Sequence, residues 1–93
     1  MATIEISHPH ALEPRELRDA VEEVAHKLQE NLDIEYQWSE SGDEVTFARR
    51  GASGRVLLGG DEVRVELSLG TLLRSLKGAI EKRIRAHLEE ALS

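Results

Sequence analysis

The chain has 93 residues, 40% hydrophobic and 32% charged, with no cysteine. One hydrophobic core suits that length, the balance fits an ordered soluble domain, and disulfides, thiolate catalysis and cysteine-ligated zinc are excluded. A formal net charge of -6, from Lys+Arg 12 against Asp+Glu 18, makes a mean field that repels phosphate backbones and anionic lipid, so bulk nucleic-acid binding is disfavoured.

The opening MATIEISHPH has no basic region leading into an apolar run, and nothing in the chain approaches the ~20 apolar residues that span a bilayer. A cytoplasmic protein without a membrane span is expected. Thr3 to Ser7 alternates, with Ile4 and Ile6 on one side, and reads as a short strand that Pro9 closes. Pro14 suits the first position of a helix, with Glu16 placed for a capping box and Leu12 facing Leu17 as a staple, although Glu13 is a poor cap residue. Leu17, Ala20, Val21, Val24, Ala25, Leu28 and Leu32 follow at helical spacing, with Glu22 to His26 and Glu23 to Lys27 as pairs on the wet side.

Ile34, Tyr36 and Trp38 alternate, SESGDE breaks the run, and Val45 and Phe47 resume it, which predicts a hairpin. RRGASG predicts the next turn. RVLLG is a third run, in which either Leu57 or Leu58 faces inward, and Val63, Val65, Leu67 and Leu69 make a fourth. Gly70 then releases the chain, Thr71 can cap, and Leu72, Leu73, Leu76, Ile80, Ile84 and Leu88 predict a helix of about five turns. Its apolar arc of roughly 160° is wide enough to cover a sheet.

Strand, helix, an antiparallel meander of about four strands, then a C-terminal helix is an α+β layer in one domain, with both helices on one sheet face. The same order is a reduced, helix-grip-like plan, an analogy of fold alone. A filled core or shallow groove is expected rather than a large chamber. An empty ~300 Å³ at ~24 cal/mol per Å³ would cost about 7 kcal/mol, against a domain stability of roughly 5 to 14 kcal/mol.

No catalytic set and no cofactor motif emerges. GASGR lacks the last glycine of a nucleophile elbow and joins two strands, and its Gly-x-x-Gly spacing, found also in nucleic-acid-clamping loops, reads as a glycine-permitted turn. His8 and His10 have alternate spacing, yet Pro9 separates them and no third ligand is placed for a metal. Tyr36, Trp38 and His10 are the candidate ligand-binding residues, the two aromatics sharing a strand face and His10 being a candidate general base if an acid such as Glu13 orients it. His26 and His87 are placed at the core boundary. Arg74, Lys77, Lys82, Arg83 and Arg85 give the last helix a basic flank and are the candidate partner or granule surface, Lys77 to Glu81 and Glu81 to Arg85 also serving as helix pairs. Gly78 on that helix suggests a close contact.

HPHAL, the YQW strand, FARRGASGRV, and DEVRVELSLGTLL followed by a helix ending IRAHLEEAL together resemble the polyhydroxyalkanoic acid system family over nearly the whole chain. The resemblance implies an association with storage-polyester metabolism or granules and supplies no catalytic residues. It suggests a non-catalytic accessory or binding protein whose partner is the polyhydroxyalkanoate granule or a granule-associated protein. A small enzyme or carrier acting on a hydroxyacyl or other apolar ligand is the alternative, and self-association, as in a homodimer, by strand pairing or exposed apolar surface is a third expectation.

Overall fold

The computed structural model describes residues 2–92. In chain order it comprises β1 (Ala2–Pro9), α1 (Pro14–Leu32), β2 (Glu35–Trp38), β3 (Glu44–Arg49), β4 (Ala52–Leu58), β5 (Glu62–Leu69), a 3₁₀ turn (Arg74–Leu76) and α2 (Lys77–Leu92). The five strands form one antiparallel sheet in the order β1-β5-β4-β3-β2. β2 to β5 are the meander, and β1 adds to its far side against β5. Because β1 and β2 are opposite edges, α1 carries the chain across the full width of the sheet.

Register follows from the two-residue period of the strands. Ile4 opposes Leu67, Ile6 opposes Val65, Val65 opposes Val56, and Val56 opposes Val45, so one face is apolar from edge to edge. The other face carries Thr3, Glu5, Ser7, Arg55, Arg64, Glu66 and Ser68 and is solvated. Leu58 pairs with Val63 on the apolar side, which leaves Leu57 on the wet side.

Both helices cover the apolar face. Leu17, Val21, Val24, Ala25 and Leu28 of α1 and Ile80, Ile84, Leu88 and Leu92 of α2 are buried against the strand residues in one cluster. Each of these Leu, Val and Ile side chains contributes roughly 1.5 to 3 kcal/mol through apolar burial. At the start of α1, Glu16 accepts from the Glu13 backbone N–H at 3.3 Å, a bond that compensates for the poor cap at Glu13. At its end Asp33 adopts the left-handed conformation (φ 55) and its N–H returns to the Gln29 carbonyl.

Two predicted boundaries move. The β3–β4 turn is Arg50 and Gly51 alone, with Gly51 at φ 85, and Ala52 to Gly54 belong to β4 rather than to the turn. Gly54 faces inward opposite Phe47 and Leu67, where a Cβ would press on the Glu66 carbonyl and lie 2.7 Å from Leu67 Cδ1. The last helix begins at Lys77 instead of Leu72. The chain leaves the sheet at Gly70, whose N–H donates to the Gly51 carbonyl at 2.7 Å, and of residues 71–79 all but Leu73 are exposed. Leu72 (67% exposed) and Leu76 (49% exposed) are therefore absent from the predicted core stripe, and Leu73 is only partly buried. Gly78 has nothing within 4 Å of a would-be Cβ, so it marks no close contact.

Candidate functional site

Tyr36 and Trp38 lie on the inward side of the edge strand β2, opposite Phe47 and Val45. Their polar ends converge on one carboxylate: Tyr36 Oη donates to Glu22 Oε1 at 2.8 Å and Trp38 Nε1 donates to Glu22 Oε2 at 2.6 Å. The hydrogen bond to Glu22 holds the Tyr36 hydroxyl above the ordinary phenol range, with partial desolvation and the Glu22 charge adding to it. Glu22 therefore does not pair with His26, which is exposed and meets Glu30 at 3.0 Å; of the two pairs predicted on α1, Glu23–Lys27 forms, at 3.3 Å. Glu23 hydrogen bonding, with Glu90 of α2 also near, raises the Lys27 ammonium above its usual value.

His10 lies elsewhere. Its Nδ1 accepts from the Leu12 N–H at 3.1 Å, which assigns the proton to Nε2, and Nε2 donates to the Gly59 carbonyl at 2.8 Å. Its own N–H donates to the Asp61 carbonyl. The imidazole latches the β1–α1 loop to the β4–β5 turn, with neither ring nitrogen free to take a proton from a substrate. The adjoining cleft, about 190 Å³, is lined by His10, Leu12, Arg18, Asp43 and Gly59 among others. Asp43 accepts from the hydroxyls of Ser41 and Ser39, which lower its carboxyl below the ordinary range, and the Arg18 charge acts in the same direction. Arg18 itself donates to the Ser41 carbonyl at 3.1 Å. The structure thus brings Tyr36 and Trp38 together around Glu22 and places His10 in a separate cleft; neither aromatic lines either cavity.

Between the helices and β3 to β5 runs a partly open apolar cavity of about 100 Å³. Leu28, Phe47, Val56, Leu69 and Ile84 are among its walls, and half-exposed Leu76 brings it to the surface. At ~24 cal/mol per Å³, empty space of this size costs about 2 kcal/mol, which a domain of this size tolerates. Arg49 is the cation in the lining: its Nη1 donates to the Leu32 carbonyl at 2.6 Å, supplying positive charge at the end of α1, whose last turn has no basic residue. Glu66 borders the cavity from β5, but its carboxylate is on the solvated face of the sheet, where Arg55 holds it at 3.0 Å.

The cavity opens at an end of the molecule with an unusual charge pattern. Residues 45–60 and 67–80 contain no Asp or Glu, although the chain is acidic as a whole. These two segments meet at Gly51, beside Leu72 and Leu73, and they carry Arg49, Arg50, Arg74 and Lys77. Of the five predicted surface cations, Arg74 and Lys77 flank exposed Leu76 here. Lys82, Arg83 and Arg85 lie further along the solvated side of α2, Arg85 in an ion pair with Glu81 at 3.3 Å. His87, half-buried on α2, has both ring nitrogens buried without a hydrogen-bond partner. Among the described residues no group of three His, Asp or Glu is placed to hold a metal ion, and no helix is long and apolar enough to cross a membrane.

Nothing in the sequence announced the Glu22 clamp, the His10 latch or the cavity. Each depends on partners distant along the chain: Glu22 is 14 and 16 residues from its aromatic donors, and His10 is 49 from Gly59. A family model described as "Putative polyhydroxyalkanoic acid system protein" matches residues 4–92. Comparison with curated proteins and with solved structures returns no match.

Proposed function

Because the chain belongs to the polyhydroxyalkanoic acid system family, we propose that it is a non-catalytic accessory of polyhydroxyalkanoate storage that meets the granule surface through the end bearing Leu72 and Leu76. The observation that carries this reading is the exposure of Leu72 and Leu76, with Arg74 between them and Lys77 next to Leu76. Two leucines left outside the core of a small domain, with cations beside them, form a surface suited to an apolar interface bearing negative charge. The acidic remainder of the molecule favours docking by this end over adsorption by any face. The engagement of both His10 ring nitrogens supports an accessory rather than a catalytic role. A cytoplasmic, granule-associated location is part of the same proposal.

The test is co-sedimentation of the purified protein with isolated polyhydroxyalkanoate granules. The wild-type chain is expected in the granule pellet, and a Leu72→Glu, Leu76→Glu double variant in the supernatant with an unaltered circular-dichroism spectrum. Failure of the wild type to sediment would remove the reading. Equal sedimentation of the two proteins would remove the assigned surface.

A further inference from the structure

We propose that the apolar cavity between α1, α2 and β3–β5 is a binding site for an aliphatic carboxylate, whose hydrocarbon chain enters beside Leu76 and whose head group stays among the rim cations. Three observations converge on that chemistry. The walls are almost wholly aliphatic and aromatic carbon, with no buried polar group left over to specify a polar ligand. The volume, about 100 Å³, accommodates about three to four methylene-sized groups, taking ~30 Å³ for each as for a water molecule. The rim is asymmetric in charge: Arg49 is in the lining and Arg74 and Lys77 flank Leu76, against Asp33 between the lining residues Leu32 and Ile34, while the Glu66 carboxylate is on the other face of the sheet, paired with Arg55. An alkane would use the walls and ignore the rim, whereas an amine would be repelled there. A carboxylate on a short chain uses both.

This site shares Leu76, Arg74 and Lys77 with the proposed granule surface but rests on the cavity behind them: granule co-sedimentation without saturable shifts at the cavity walls would remove this site alone, and wall shifts without co-sedimentation would remove the granule surface alone.

The experiment titrates sodium butyrate, hexanoate, octanoate and decanoate, with octanol as an uncharged arm, into the full chain while methyl resonances of Ile, Leu and Val are followed by NMR. Saturable shifts are expected at Leu28, Val56, Leu69 and Ile84 and none at Ile6 or Val63, which lie outside the lining. Affinity should rise about four-fold per added methylene until the cavity is full and then flatten. Octanol should bind about five-fold more weakly than octanoate, and the Arg74→Gln, Lys77→Gln double variant should erase that difference. Shifts confined to Leu72 and Leu76, a rise without a plateau, or octanol binding as tightly as octanoate would overturn the proposal. Ala52→Leu places a larger side chain in the lining and should abolish binding; unchanged binding in a folded Ala52→Leu protein would also overturn it. If that variant does not fold, the wild-type shift map decides alone.

Discussion

The indole N–H of Trp38 and the carboxylate of Glu22 meet at 2.6 Å, joining the edge strand β2 to the helix that covers it. The phenol of Tyr36 occupies the other oxygen of the same carboxylate at 2.8 Å. A four-residue edge strand has only one neighbour to pair with, so this double hydrogen bond is a second attachment for it. Replacing Glu22 with Ala leaves both donors to water at a partly exposed site and should cost about 1 kcal/mol. The chain has one Trp, so its fluorescence reports the loss directly. A denaturation midpoint identical to wild type would show the clamp to be energetically idle.

The same clamp makes stability sensitive to alkali. A phenol pKa raised in the folded state means that, above the unfolded value near 10, the folded chain retains a proton that the unfolded chain has released. The resulting contribution is fully present below pH ~10 and is lost as pH rises through the higher folded value. Tyr36→Phe removes this dependence, so the two proteins should differ in the slope of stability against pH only above that point. Phenolate absorbance of the single Tyr measures the folded value without interference.

His10→Ala removes a donor to the Gly59 carbonyl and an acceptor for the Leu12 N–H in a half-buried loop. A loss of about 1 to 2 kcal/mol is expected, with faster amide exchange at Leu12 and along the β4–β5 turn. Exchange accelerated equally throughout the sheet would show that the side chain supports the whole fold rather than this junction.

The strands and α1 were legible because their periodicities are local consequences of a one-sided burial. Ile4 and Ile6, or Val63 and Val65, alternate because one sheet face is covered, and α1 repeats Leu17, Val21, Val24 and Leu28 because it provides the cover. The same logic misled at residues 72–76. Leu72, Leu73 and Leu76 continue the helical rhythm of Ile80 and Ile84, but rhythm cannot report where the sheet stops. The sheet stops at Leu69, and what the spacing predicts as core becomes surface. Glu22 shows a related limit. Its spacing to His26 satisfies a rule for isolated helices, whereas the folded chain offers two aromatic donors from another element.

Gly54 is needed for close approach. It occupies an inward position where every neighbouring register site is larger, and a Cβ there would meet the Glu66 carbonyl and lie 2.7 Å from Leu67 Cδ1 and 2.9 Å from Leu67 Cα. Backbone atoms cannot yield as a side-chain tip does, so β4 and β5 must separate. Gly54→Ala should destabilise by about 2 to 4 kcal/mol, although alanine is otherwise the better residue within a strand. A variant as stable as wild type would mean that the strands can shift apart at no cost.

Leu76 and Ile84 separate the sequence reading from the structure most cleanly, because the apolar rhythm puts them on one stripe. Ile84 is 4% exposed and Leu76 is 49% exposed. Truncating Ile84 to Ala deletes buried contacts and enlarges the cavity that it lines, for an expected loss of about 2 to 4 kcal/mol. Leu76→Ala should cost only about 1 kcal/mol, since about half of its surface stays in water on folding. Urea denaturation of the two variants gives the comparison. Similar losses would place Leu76 in the core, extend α2 back over the sheet, and withdraw the leucine on which the granule-facing surface depends.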